Sequence, residues 1–291
     1  MIALSLLQLL VIAALAPLVQ GAMKLLRARL QGRPGPSALQ PYRDLAKLWR
    51  KESILPAGVS PIAVAAPGIA LGVALTLAAA LPLAAPGMPP LGEIIALIFL
   101  LALSRFVLGL AAVDSRSAFA SMAASTEQTI AALVEPTLLL ALLGAAALGQ
   151  GTQLSALRYL PFGLAGLLAV GAFFLVLLAE TARVPIDNQE THYELTMIHE
   201  GLALEFSGWQ LAFIQVASHV RQLSFLLLAG LLLPGGTVWA VAAWAVAIAV
   251  VVTVVETLFA KLRLFEIPQL LASAFVLAAA SIALRLFGTT L

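Results

Sequence analysis

Six of the fourteen acidic residues of this chain lie within twenty-six positions: Glu180, Asp187, Glu190, Glu194, Glu200 and Glu205. That stretch separates two long apolar segments. Ionisable groups close to hydrocarbon are costly and usually have a task. Pro185 ends the preceding apolar segment. Asp187 then stands three residues before Glu190, the spacing of a capping box with Asp at the N-cap and Glu at N3. The pattern predicts a helix from about Asn188 to Glu200, closed by Gly201. Asp187, Glu190 and Glu194, at i, i+3 and i+7, would share one face. Like charges held close raise one another's pKa, so such a cluster could hold a proton near neutral pH, as a proton relay requires. His192 and His199 add a residue type that titrates in that range. The competing reading is a solvated loop with ordinary capping residues. Its difficulty is density, because most of the other loops are short and sparsely charged. The histidines are seven apart rather than four, and His199-Glu200-Gly201 does not complete HExxH, so no metal site is expected.

Further ionisable residues fall inside or beside apolar segments: Arg105, Glu127, Glu135 next to Pro136, His219, Arg221 and Glu256. A charge at mid-membrane costs about 2.5–3.5 kcal/mol on insertion scales. Such groups normally face the interior of a bundle and pair. Pro136 frees a carbonyl beside Glu135 and favours a kink with a wet pocket, which suits ion passage. Structural ion pairs between helices are the alternative for all of them, and most of all for Arg105 and Arg221.

These groups need elements to hold them. The chain has 291 residues, 62% hydrophobic and 10% charged, with mean hydropathy +1.05. A soluble domain carries about 25% charged residues. The class is an all-α membrane protein, one polytopic domain over residues 1–291. Eight segments are long enough to cross a bilayer, near Ile2–Met23, Pro61–Leu83, Leu91–Val113, Ile130–Leu148, Tyr159–Ala179, Leu211–Leu233, Val238–Phe259 and Ile267–Phe287. On this division Glu127 sits at the mouth of the fourth span. None of the spans alternates with period two, so a β-barrel is not supported. The absence of cysteine excludes cysteine-ligated clusters and disulfides. The first segment has no charged n-region and reads as a span rather than a cleavable signal.

Eight lysines and arginines lie between Lys24 and Lys51. With eight spans, Arg116, Arg183, Lys261 and Arg263 fall on the same side, against Arg158 and Arg285 opposite. The positive-inside rule puts the basic side in the cytoplasm and both termini outside. Within the basic loop, Gln31-Gly-Arg33-Pro34-Gly-Pro36 is a rigid turn. Gln40-Pro41 then opens an amphipathic helix with Leu45, Leu48 and Trp49 on one face. It is either an interfacial helix on the headgroups or a docking surface for a cytoplasmic partner.

Together these stretches resemble a known family. Gly32-Arg-Pro-Gly35 with Gln40-Pro-Tyr-Arg-Asp-Leu-Ala-Lys47, Glu180-Thr-Ala-Arg183-Val-Pro185-Ile-Asp187 and Glu205-Phe-Ser-Gly208 look like the NuoH-type membrane subunit of respiratory complex I. Asp187 through Glu200, with Ala260-Lys-Leu-Arg-Leu-Phe-Glu266-Ile-Pro-Gln269, is most similar to the hydrogenase branch of that family. This branch includes the membrane subunits of formate hydrogenlyase and hydrogenase-4. The resemblance covers essentially the whole chain.

The resemblance implies an eight-span bundle at the foot of a cytoplasmic redox arm in a bacterial or archaeal cytoplasmic membrane. The implied partners are [NiFe] hydrogenase large and small subunits, ferredoxin-like iron–sulfur subunits and antiporter-like membrane subunits, with no nucleic acid. The [NiFe] centre and the iron–sulfur clusters would belong to those partners. This chain would have no cofactor, no metal and no catalytic centre of its own. In the quinone-reducing relatives the acids form the entry of a proton path. The matching residues here are Glu135, Glu180, Asp187, Glu190, Glu194 and Glu205, with His199, Glu200, Glu127 and Glu256 as further candidates for ion passage or coupling. Arg33, Gln40, Arg43, Asp44, Lys47 and Arg183 are candidates for docking the arm. Val184-Pro-Ile-Asp187-Asn-Gln-Glu190 departs from the quinone branch and favours electron transfer to protons. The function implied is coupling of redox turnover to H⁺ or Na⁺ translocation. The alternatives are a passive anchor, a quinone-site subunit of a complex I-like dehydrogenase, and, least in keeping with the motif, a stand-alone transporter.

Overall fold

The computed structural model describes residues 2–56, 58–83, 92–146, 151–159, 163–187 and 198–288. Among these residues the chain is helical, with α1 Ile2–Leu30, α2 Gln40–Trp49, α3 Pro61–Ala80, α4 Ile94–Asp114, α5 Ala118–Ala146, α6 Leu164–Glu180, α7 Gly208–Leu231, α8 Val238–Leu258 and α9 Ile267–Gly288. All but α2 and α6 are long and apolar enough to cross a membrane, and α6 is a shorter apolar helix. With α6 the bundle has the eight membrane helices the hydropathy pattern predicts, plus the amphipathic α2.

Several helices depart from the predicted spans. The fourth begins at Ala118 rather than Ile130. The twelve added residues are rich in Ala, Ser and Thr, too polar to read as a span yet good enough helix formers to extend one. Ser121, Thr126 and Thr129 return their hydroxyls to the carbonyls four residues earlier, which hides polarity that the bilayer would penalise. Glu127 therefore lies inside α5, buried, and not at a helix mouth. The first helix runs on past Met23 to Leu30. Tyr159 closes a short 3-10 helix, Leu154–Tyr159, ahead of α6. The predicted helix Asn188–Glu200 falls almost wholly outside the described residues. At its end, Gly201 lies within a 3-10 turn, Glu200–Ala203, rather than closing a helix.

The bundle is closed by apolar packing, notably of α6 on α9, α3 on α7 and α4 on α5. Phe173 of α6 stacks on Phe225 of α7 at 5.9 Å, with both rings fully buried. Helix ends inside the membrane need partners for their last carbonyls. Gln8 of α1 supplies them for α3, donating to Ala78 O and Leu81 O at 2.8 Å each. Thr237 caps α8 by accepting from Ala240 N.

The basic loop packs back on the bundle. Gly21 lets the 31–38 turn approach α1, since a Cβ there would lie 2.0 Å from Ala38 O. The Tyr42 hydroxyl donates to Ala14 O, three residues before the in-helix Pro17. Leu45 is buried, and Trp49 meets Phe213 of α7 edge-on at 5.4 Å. The apolar face of α2 thus rests on α7, while Arg43 and Lys47 remain exposed.

Helix α6 positions the acids. Its seventeen residues span about 25 Å at 1.5 Å per residue, short of the ~30 Å hydrocarbon thickness. It ends at Glu180 inside the bundle, and residues 181–187 continue as buried turns. Irregular backbone at this depth is tolerated only where protein surrounds it and satisfies it. Here Arg183 N donates to Leu178 O, Asp187 N to Arg183 O, and Leu262 N to Pro185 O. The Val184–Pro185 bond is cis.

Candidate functional site

Arg105 of α4 is buried and gathers three carboxylates. Its Nε lies 3.6 Å from Glu127 Oε1, its Nη1 lies 3.4 Å from Glu135 Oε1, and its Nη2 donates to Glu180 Oε1 in a close contact. Glu127 and Glu135 are two turns apart on α5, and Glu180 closes α6. One guanidinium, with its planar fork of donors, therefore ties three membrane helices. Three carboxylates thus share one buried guanidinium. The second oxygens of Glu127 and Glu180 are buried without a hydrogen-bond donor.

The buried turn adds the next members. His199 Nε2 lies 3.5 Å from Glu127 Oε1, and its Nδ1 lies 3.7 Å from Asp187 Oδ2. The backbone N–H of His199 donates to that same oxygen at 3.2 Å. Lys261, beyond α8, donates to Asp187 Oδ1 at 2.7 Å. Lys261, Asp187, His199, Glu127, Arg105 and Glu135 thus form an unbroken line of charged or titratable groups, each within 3.7 Å of the next. It runs from the loop after α8 to a half-exposed carboxylate in mid-helix on α5.

Asp187 differs from the electrostatic expectation. Burial works against its charge, but hydrogen bonding and attraction from His199 and Lys261 outweigh it and hold the carboxyl well below the usual carboxylate range. It is a fixed anion at neutral pH and not a carboxyl that stores a proton there. Among the described residues its side-chain partners are Lys261 and the His199 imidazole.

Arg183 also corrects an expectation. It is buried rather than presented for docking. Its guanidinium donates to Glu256 Oε1 at 2.9 Å, to Gln222 Oε1 at 2.6 Å, and closely to Gln20 Oε1. Gln222 Nε2 in turn meets Met23 Sδ. This second cluster joins α1, α7 and α8 to the turn that carries Asp187. Glu256 belongs to it and not to the line through Arg105.

The remaining candidates are distributed as follows. Glu190, Glu194 and His192 lie outside the described residues. Glu200 lines a cavity beside His199. Glu205 is half-buried, with no hydrogen bond or ion pair among the described residues. Arg33, Arg43 and Lys47 are exposed, and Asp44 is held by Gln40 Nε2 at 2.8 Å.

The cavity measures about 790 Å³ and lies between α1, α2, α3, α4 and α7. Arg105, Glu127 and His199 line it, so the charged line has access to open space. His219 and Arg221 of α7 line it too. Arg221 makes no ion pair or hydrogen bond among the described residues, and His219 Nδ1 is buried without a partner. Gln20 and Gln222 are members of the site that the sequence did not single out, while Arg105 makes the ion pairs between helices that a charge inside a span implied, and Lys261 lies in the stretch that carries the family resemblance.

The fold and the sequence have known counterparts. Residues 2–286 match the NADH dehydrogenase family model. The chain is 33% identical over 272 residues to formate hydrogenlyase subunit 4 of Escherichia coli (strain K12), covering 90% of this chain and 88% of that protein. It is 34% identical over 222 residues to hydrogenase-4 component C of the same organism, covering 74% and 70%. A chain in the structure of the membrane-bound sulfane sulfur reductase, an archaeal respiratory membrane complex, has the same fold, with TM-score 0.81 over 97% of this chain and 98% of that one at 20% identity. The match runs through all eight membrane helices and the buried turn between α6 and α7, and on it this multi-pass membrane protein belongs to the NADH dehydrogenase family.

Proposed function

We propose that this chain is the membrane subunit of a hydrogenase complex of the formate hydrogenlyase type. It anchors a cytoplasmic redox arm and couples electron transfer there to translocation of protons, or of sodium ions, through its buried carboxylates. The resemblance to formate hydrogenlyase subunit 4 and hydrogenase-4 component C supports the complex. The unbroken line from Lys261 to Glu135 is the observation that carries the coupling.

In this reading Arg43 and Lys47 on the exposed basic face of α2, together with Arg33 in the turn before it, meet the arm. The arm carries the [NiFe] large subunit, the small subunit and ferredoxin-like iron–sulfur subunits, and antiporter-like subunits lie beside the chain in the membrane. Asp187 stays ionised and orients His199. His199, which lines the cavity, takes a proton from it and releases one from Nε2 to Glu127 Oε1. Arg105 then lets Glu127, Glu180 and Glu135 exchange charge, because a proton arriving on one frees the guanidinium for the others. Displacement by the arm of the buried turn that carries Asp187 opens or closes the His199–Glu127 step.

A passive anchor is the second reading, favoured by the pairing itself, since Arg105 and Arg183 also tie helices together. The two readings separate in sealed vesicles containing the purified complex, with hydrogen evolution and a pH-sensitive dye followed together. Coupling requires that Glu127→Gln and Glu135→Gln keep turnover and lose the gradient. An undiminished gradient in both variants would leave the anchor.

A further inference from the structure

The loop between α8 and α9 is held from within and open from without. Inward, Lys261 donates to Asp187 Oδ1 at 2.7 Å, Leu262 N donates to Pro185 O at 2.8 Å, and the Leu262 side chain packs against the bundle core. These contacts bolt the loop to the buried turn that carries Asp187. The residues on either side of them are turned out. Leu258, Phe259 and Phe265 are 74%, 60% and 88% exposed, and Arg263 and Leu264 are exposed with them. Glu266 Oε2 accepts from the backbone N–H of Arg263 at 3.3 Å, and the Arg263 guanidinium makes no ion pair among the described residues.

The depth of the loop identifies what meets its outer side. Helix α8 has twenty-one residues and spans about 31 Å at 1.5 Å per residue, close to the ~30 Å of bilayer hydrocarbon. The exposed Trp239 stands near one end of it, and Leu258 and Phe259 stand at the other, so the loop lies at the level of the headgroups. Leu258 also continues an outward stripe. Trp244, Val251 and Leu258, each seven residues from the next, are exposed on one face of α8. Helix α8 packs on α1 and α7, and α9 packs on α5 and α6. Both stand at the rim of the bundle and are mostly unburied.

The surface of α2 is built the other way, with Leu45 turned inward and Arg43 and Lys47 shown to water. Exposed aromatic and aliphatic side chains around a cation, at headgroup depth, are the composition of a membrane-surface anchor. A basic residue there attracts anionic lipids. We propose that Leu258, Phe259, Arg263, Leu264 and Phe265 form a binding site for an anionic phospholipid. Arg263 meets the phosphate, and the apolar side chains lie among the glycerol backbone and the upper acyl chains. The lipid holds the outer side of the loop as Lys261 and Leu262 hold the inner side, and so keeps Lys261 seated on Asp187. The site requires a membrane-spanning chain and does not rest on ion coupling.

The test uses the full complex. In native membranes a photoreactive diazirine amino acid replaces Phe265, and adducts are identified by mass spectrometry after irradiation. Phospholipid adducts are expected. Attachment to a partner subunit or to a second copy of this chain would overturn the proposal. The need for charge is read in nanodiscs of phosphatidylcholine, alone or mixed with phosphatidylglycerol, by hydrogen exchange at the Leu262 amide, which reports the bond to Pro185 O. Phosphatidylglycerol is expected to slow exchange by roughly five-fold, the weight of one basic side chain at an anionic surface. Arg263→Gln should abolish that difference and leave the α6–α9 core unchanged. Phe265→Ser, which keeps the cation, should speed exchange in both lipids. Exchange that ignores phosphatidylglycerol, or that responds equally in Arg263→Gln, would overturn the proposal. Neither readout involves a gradient, so a failure of ion coupling leaves the lipid site standing, and a failure of the site leaves coupling to its own assay.

Discussion

The imidazole of His199 stands between two carboxylates from different elements, and its Nε2 lies 3.5 Å from Glu127 Oε1. Among the described residues this contact joins the Asp187 end of the charged line to the carboxylates around Arg105. If a proton crosses it, His199→Gln keeps the bulk of the side chain and removes the carrier. A positioned proton carrier is worth about 10²-fold or more. Gradient formation per hydrogen evolved is therefore expected to fall by roughly that lower figure, with turnover and subunit content unchanged. A coupled gradient of normal size in the variant would remove His199 from the path.

Arg105 is the cation on which Glu127, Glu135 and Glu180 depend together. Breaking a buried pair by removing one partner costs about 3–5 kcal/mol, because the other charge stays behind. Arg105→Leu is expected to lower the yield and the thermal midpoint of the purified complex sharply. Adding Glu180→Gln should restore part of the loss, since it removes the closest stranded charge. A double-mutant cycle measures this coupling, and additive losses would show that the two groups do not act as a pair.

Much of this arrangement is legible from the sequence, and what is not has physical reasons. The membrane helices follow from hydropathy, and α2 follows from Pro41 and the Leu45/Leu48/Trp49 face. The density of acids after α6 singled out the segment from which Asp187 and His199 join the charged line. Periodicity, however, reports one helix at a time. Arg105 meets Glu135 across 30 residues and Glu180 across 75, and no local pattern encodes either contact. Asp187 looked like a member of an acidic face because its neighbours in sequence are acids. Among the described residues its partners are His199 and Lys261, the latter 74 residues away, and they hold its carboxyl low. Arg183 looked available for docking for a similar reason, yet three helices supply its acceptors. Glu127 was misplaced because α5 begins with residues that hide their own polarity by bonding back along the helix.

The depressed pKa of Asp187 makes a signed prediction about stability. A carboxyl held low in the folded state contributes stability that is fully present above its unfolded value, about pH 4, and is lost as pH falls through the lower folded value. Between pH 5 and 8 Asp187 should therefore add no pH dependence. Thermal midpoints of the wild type should decline below about pH 4, while Asp187→Asn should start lower at neutral pH and show a shallower acid decline. Equal acid slopes in the two proteins would show that Asp187 is not held by Lys261 and His199.

Gly208 opens α7 with φ +55°, and a Cβ on it would lie 2.7 Å from the carbonyl oxygens of both Lys51 and Glu52. The end of the basic loop therefore sits directly on the first residue of α7. Around that contact, Ile54 N donates to Ser207 Oγ at 2.7 Å, Ser207 Oγ donates back to Ile54 O, and Ser53 Oγ donates to Gln210 Oε1. Gly208→Ala meets two obstacles at once, a left-handed backbone and two fixed oxygens. Backbone strain alone costs about 1–3 kcal/mol, and the cheapest relief is to push the 51–54 segment away. Hydrogen exchange at the Ile54 amide is expected to accelerate well before the bundle opens globally, with the α6–α9 core unchanged. Unaltered protection at Ile54 would mean that the segment yields without losing its bonds, and that Gly208 is not what seats the basic loop on α7.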